Sequence, residues 1–156
     1  MDAPKDKVTF YSQGLAFSCQ KCSACCRGGP GYVFLTESDV TVLSRAKGIP
    51  IPDFLDEFCR VIQFGDEFHY SLREKRNYDC VFWDDGCLVY GARPIQCRTY
   101  PYWSKILSGP ESWKEESKYC PGIGKGDPLS EADIIGKLEG RAAEALIGPA
   151  YRKRFP

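Results

Sequence analysis

The chain has 156 residues, and its 21 Lys and Arg balance 21 Asp and Glu. That length suits one domain, and zero net charge gives no support to a basic nucleic-acid binder or an acidic disordered tail. Hydrophobic residues at 43% and aromatics at 13% argue against disorder, while nine Cys beside one His exclude chemistry that needs two or three His ligands.

In chain order, Val8 to Phe17 holds two short β-rich runs around Ser12-Gln13-Gly14, which reads as a hairpin. Tyr32 to Leu35 is a short strand candidate. Thr36 is the expected N-cap of a helix carrying Val40 and Leu43, stopped by Gly48. A second helix opens at Pro52-Asp53 and runs to about Arg60, with Phe54, Leu55 and Phe58 on its apolar face. Val61 to Phe64 and Phe68 to Leu72 flank Gly65-Asp66 as a hairpin. Cys80 to Trp83 and Cys87 to Tyr90 flank Asp84-Asp85-Gly86, the clearest hairpin in the sequence. Arg93-Pro94 starts a short helical turn carrying Cys97-Arg98. Glu111 to Tyr119 suits a helix. Ser130-Glu131-Ala132-Asp133 resembles a capping box and opens a last helix that ends near Gly148, with Ile134, Ile135, Leu138, Ala142, Ala145 and Leu146 as its stripe. The basic tail from Tyr151 to Pro156 is expected to fray.

The N-terminus MDAPKDKVTFYSQGLAF has no basic segment leading into an apolar run, and no stretch approaches the ~18 apolar residues of a membrane span. The expectation is a soluble cytoplasmic protein that binds neither membrane nor nucleic acid. In a reducing cytosol, clustered cysteines favour metal or redox roles over structural disulfides, and an odd count disfavours full pairing.

The chemistry concentrates in Cys19-x-x-Cys22-x-x-Cys25-Cys26. Two-residue spacing lets tight turns aim successive sulfurs at one centre and point backbone N–H groups at the thiolates. Three such cysteines followed by a remote Cys-Pro, here Cys120-Pro121, is the ligand spacing of a [4Fe–4S] ferredoxin site. Cys26 departs from it, because side chains of adjacent residues diverge: Cys25 and Cys26 serve two different centres, or one binds while the other does not. Cys80, Cys87 and Cys97 complete a set of eight. One partition places Cys19, Cys22, Cys25 and Cys120 on one centre and Cys26, Cys80, Cys87 and Cys97 on another. Cys59 stands apart beside Phe58 and reads as a small buried hydrophobe. Arg93 and Arg98 flank Cys97 and are expected to offset the negative charge of a thiolate site from just outside it, as Lys21 and Arg27 could. Gly122 to Gly126 lacks the form of a phosphate loop and reads as a loop wrapping a metal-bound sulfur. Tyr100-Pro101-Tyr102-Trp103 reads as core beside the metal, and His69 as a surface or core residue rather than a ligand.

Phe17-x-Cys19-x-x-Cys22-x-x-Cys25-Cys26, Cys80-Val-Phe-Trp, Cys87-Leu-Val-Tyr, Ala92-Arg93-Pro94-x-x-Cys97-Arg98 and Cys120-Pro-Gly together resemble the YkgJ-type cysteine cluster family. The resemblance runs from about Phe17 to Lys125. It implies a zinc- or iron-chelating domain and assigns Cys19, Cys22, Cys25, Cys26, Cys80, Cys87, Cys97 and Cys120 as the shared set, without Cys59. Flagellin lysine N-methylases carry a similar cysteine cluster.

These readings lead to a small, loop-rich α+β domain spanning 1–156, its core at about 17–148. Short hairpins and three or four helices surround a cysteine-ligated metal centre. The expected function is an iron–sulfur protein with a redox or enzyme-accessory role and an unidentified protein partner. Zinc is the alternative metal, stapling a protein-interaction module. A part in a protein lysine methylation system is a further alternative.

Overall fold

In the computed structural model, which describes residues 8–156, Thr36 and Gly48 delimit the first helix as the sequence predicts. The Thr36 hydroxyl accepts from the Asp39 amide, the Asp39 carboxylate accepts from the Thr36 amide, and Gly48 closes the helix in the left-handed region at φ 68°. The helices in chain order are α1 (Glu37–Lys47), α2 (Ile51–Phe58), α3 (Ile95–Thr99), α4 (Pro110–Glu116), α5 (Glu131–Ala142) and α6 (Pro149–Arg152). The strands are β1 (Leu15–Phe17), β2 (Cys59–Phe64), β3 (Glu67–Leu72) and β4 (Ile123–Leu129). They form two antiparallel two-stranded sheets, β1 with β4 and β2 with β3, so the fold is α+β as expected. Among the described residues no helix is long and apolar enough to cross a membrane.

The chain divides into two compact units, one comprising residues up to Cys22 with Pro101–Gly140, the other Ser23–Tyr100 with Arg141–Pro156. In the first unit β1 pairs with β4 rather than with Val8 to Tyr11, so the predicted N-terminal hairpin gives way to a long-range pairing. Gly14 turns the chain toward β4: its amide closes a turn onto the Tyr11 carbonyl at 2.8 Å, and it sits at φ 85°. A Cβ there would lie 2.7 Å from the Leu129 carbonyl oxygen, so only glycine lets the two backbones approach. The segment from Gly122 to Gly126, expected as a loop, enters β4 instead. Tyr102, Leu107 and Ile134 form the core of this unit, with Phe17, Trp113 and Leu129 packed against them. The Tyr102 hydroxyl donates to the Leu15 carbonyl at 3.0 Å, so the aromatic cluster after Cys97 contributes core here.

In the second unit the β2–β3 hairpin forms around Gly65 with the register Val61 to Tyr70 and Phe64 to Glu67. Helix α2 ends at Phe58, two residues short of the expected Arg60, because Cys59 already begins the strand. Cys59 is 2% exposed, within a core built by Leu35, Val40, Leu43, Phe54, Leu55, Leu72 and Phe82. Each large side chain buried there contributes about 1.5–3 kcal/mol of transfer free energy. Tyr32 to Leu35 makes only a single bridge, Phe34 to Ser71.

Two expectations at the C-terminal end are corrected. The last long helix stops at Ala142, and Ile135 and Leu146 of its predicted stripe stay 38% and 41% exposed. The chain then runs extended, the Ile147 carbonyl accepting from Tyr70 at 2.8 Å and its amide donating to Leu35 at 2.9 Å. The basic tail is anchored rather than frayed: Tyr151 is buried, Arg152 pairs with Asp56 at 3.0 Å, and Arg154 pairs with Glu37 at 3.1 Å.

Candidate metal centre

The second unit holds Cys25, Cys26, Cys59, Cys80, Cys87 and Cys97. Cys25 and Cys26 lie on a tight turn closed by the Cys26 amide donating to the Ser23 carbonyl at 2.9 Å, and their sulfurs are 3.9 Å apart. The Cys26 carbonyl accepts from the Cys80 amide at 2.8 Å, which ties that turn to the next cysteine segment. Arg27 adds a clamp: its guanidinium reaches the buried Asp79 carboxylate at 3.3 Å and stacks 3.8 Å from the Trp83 ring centre.

Cys80 to Tyr90 is not the regular hairpin that its Asp-Gly turn suggests. Asp85 and Gly86 take the expected positive φ values, 51° and 128°, but only one bridge forms, Trp83 to Cys87. The ladder goes no further because other segments already use the neighbouring amides, Cys80 donating to Cys26 and Val81 to Arg73. The result is a turn that holds Cys80 and Cys87 on irregular backbone. Cys97 comes from α3, whose first amide, that of Ile95, donates to Asp39 at 2.9 Å. The carboxylate that caps α1 therefore also fixes the start of the Cys97 helix.

The thiols act on one another. Hydrogen bonding from Cys26 lowers the Cys25 thiol to about 7, with Arg93 helping. The Cys26 thiol is pushed up by that same bond, then by burial and the charges of Cys25, Cys80 and Cys97. Burial raises Cys97 to about 12, and Cys80, Cys25 and Cys87 push the same way. Cys80 is also raised by burial first, with Cys87, Cys25 and Glu74 adding to it. Five thiols thus share one electrostatic neighbourhood, which is the donor set that a divalent cation or an iron–sulfur cluster neutralises. Among the described residues no three His, Cys, Asp or Glu side chains form a closed metal-holding group. The donors nevertheless fit such a centre, since thiols predominate and four of them sit on turns. Cys59 remains apart, raised to about 12 by burial alone against a weak opposing pull from Arg73.

Arg93 stands near enough to Cys25 and Cys97 for its charge to act on both, and its Nε–H donates to the Tyr90 carbonyl at 2.8 Å. Arg98 instead donates to the Arg93 carbonyl at 2.9 Å, so it steadies the loop. Arg141, in the last turn of α5, is lowered by burial against an opposing pull from the Cys97 charge, and it carries no sequence signal. The Trp83 ring, against which Arg27 stacks, closes the Cys80-Val-Phe-Trp segment.

The first unit holds Cys19 and Cys22, both exposed, and the buried Cys120. The Lys21 amide donates to the Cys19 sulfur at 3.4 Å, an N–H to sulfur bond of the kind that tight spacing predicts. Lys21 and Ser23, on either side of Cys22, both have positive φ, 52° and 66°. The Ser18 amide donates to the Gly122 carbonyl at 3.0 Å, which holds the Cys19 segment beside the turn after Cys120.

The sequence signature of the CxxCxxCC family, described as a "putative zinc- or iron-chelating domain", matches residues 18–121. An uncharacterized protein of Methanocaldococcus jannaschii, MJ0661, is 28% identical over 145 residues, 89% of this chain and 75% of the relative. No solved structure matches the chain.

Proposed function

The chain belongs to the CxxCxxCC family of zinc- or iron-chelating domains, and from that membership we propose an iron–sulfur protein with a redox or enzyme-accessory role. The observation that carries the reading is the shared neighbourhood of Cys25, Cys26, Cys80, Cys87 and Cys97 within one compact unit. Cys26, Cys80, Cys87 and Cys97 are the ligands of the proposed centre, and Cys25 is the adjacent thiol. An iron–sulfur cluster bound there would supply one-electron transfer or a Lewis-acidic iron. The chain's own residues do the rest. Arg93 supplies positive charge beside Cys25 and Cys97. The Arg27–Asp79 pair holds the Cys25–Cys26 turn against the Cys80 segment. A redox role requires a partner protein that gives or takes the electron.

Iron, sulfide and zinc analysis of anaerobically purified protein tests this reading. Iron and sulfide with a broad visible band near ~400 nm are expected. A colourless protein with stoichiometric zinc overturns the iron–sulfur assignment and leaves a zinc-stapled interaction module, since zinc accepts the same four thiolates.

A further inference from the structure

The Trp83 indole Nε1–H is buried and has no hydrogen-bond partner. A buried indole N–H normally finds an acceptor, and each exception in a folded protein calls for an explanation. Here the ring is well fixed. Trp83 is bridged to Cys87, so the two side chains project from the same face of the turn with their Cβ atoms roughly 4.5–5.5 Å apart. The Arg27 guanidinium lies 3.8 Å from the ring centre and occupies the π face, which leaves the ring edge to make polar contact. The Trp83 amide donates to the Cys80 carbonyl at 2.8 Å, tying its backbone to a second cysteine of the cluster. A protonated thiol is a weak acceptor, whereas a metal-bound thiolate carries negative charge and accepts strongly.

We propose that Trp83 is a positioning residue for the metal centre, its indole Nε1–H donating to the Cys87 thiolate when metal is bound. The inference rests on the reading of these cysteines as metal ligands and adds a residue outside the ligand set. The bond spreads charge off the sulfur, orients the ligand and, for an iron–sulfur centre, raises the reduction potential.

Trp83→Phe keeps the ring and removes only the N–H, so it separates this role from packing. In the metal-bound protein, competition with a chelator should show metal held about tenfold more weakly, or worse. In the metal-free protein the variant should be no less stable to urea than wild type, because an unmet buried donor has gone. Unchanged metal retention, or an equal loss of stability with and without metal, overturns the proposal. A second measurement needs no variant that folds: the Trp83 indole N–H resonance of 15N-tryptophan-labelled wild type, read without metal and after zinc loading. A large shift on loading is expected, and a resonance that stays put overturns the proposal. Wild type that takes up neither zinc nor iron rejects the parent reading instead.

Discussion

Single residues show why nine cysteines are not one population. Cys59 packs among Leu72, Phe54 and Phe82 in the core of the second unit, while Cys97 sits among other thiols. Cys59→Ala should cost about 1 kcal/mol in urea unfolding and leave metal content unchanged. Gly122 has a different constraint. A Cβ there would lie 2.3 Å from the Ser18 carbonyl oxygen, far inside contact distance, and the clash is with backbone. Gly122→Ala should cost about 2 kcal/mol or more in stability, with the β1–β4 pairing displaced. The sequence suggests a glycine-rich loop at this point because Gly122-Ile-Gly-Lys-Gly looks like a flexible wrap. What demands the glycine is the approach of a strand more than a hundred residues earlier in the chain, and such a contact leaves no local trace.

At the scale of elements, local signals were legible and long-range ones were not. The Thr36–Asp39 capping box and the Gly48 stop follow from side chains within one turn, and α1 forms where they predict. Thr36→Ala should cost about 1 kcal/mol, measured by thermal or urea unfolding. The β2–β3 hairpin likewise follows from its own turn. Neither the β1–β4 pairing nor the irregular Cys80–Cys87 turn has a local signal, because each is decided by partners distant in sequence. The tail from Tyr151 to Pro156 looks frayed in the sequence because Arg152 and Arg154 look solvated until Asp56 and Glu37 are placed beside them. Hydrogen bonding from Arg152 holds the Asp56 carboxyl below its ordinary value. The folded state therefore gains from this pair while Asp56 is ionised, and the gain is lost as pH falls through the depressed folded value. Arg152→Ala should lower the urea midpoint at about pH 7 and lose its effect at about pH 2. The pair is exposed, so added salt should shrink the difference.

For the molecule as a whole, the cysteine set was legible and its grouping was not. Spacing identifies Cys19, Cys22, Cys25 and Cys26 as one motif, yet the boundary between the compact units falls inside it, between Cys22 and Ser23. The neighbourhood of Cys26, Cys80, Cys87 and Cys97 is created by the Cys26–Cys80 backbone bond and by the docking of α3 on Asp39, neither of which has a sequence signature. The balance of 21 basic against 21 acidic residues also conceals local structure, since Arg93 and Arg141 stand close to these thiols. In the proposed reading, the thiols of the second unit hold the metal. The most direct test is the metal-to-protein ratio of anaerobically purified Cys97→Ser, measured beside Cys59→Ser and wild type. Wild type and Cys59→Ser should carry the same ratio, with metal lost from Cys97→Ser. A Cys97→Ser protein that keeps the full wild-type ratio would contradict it.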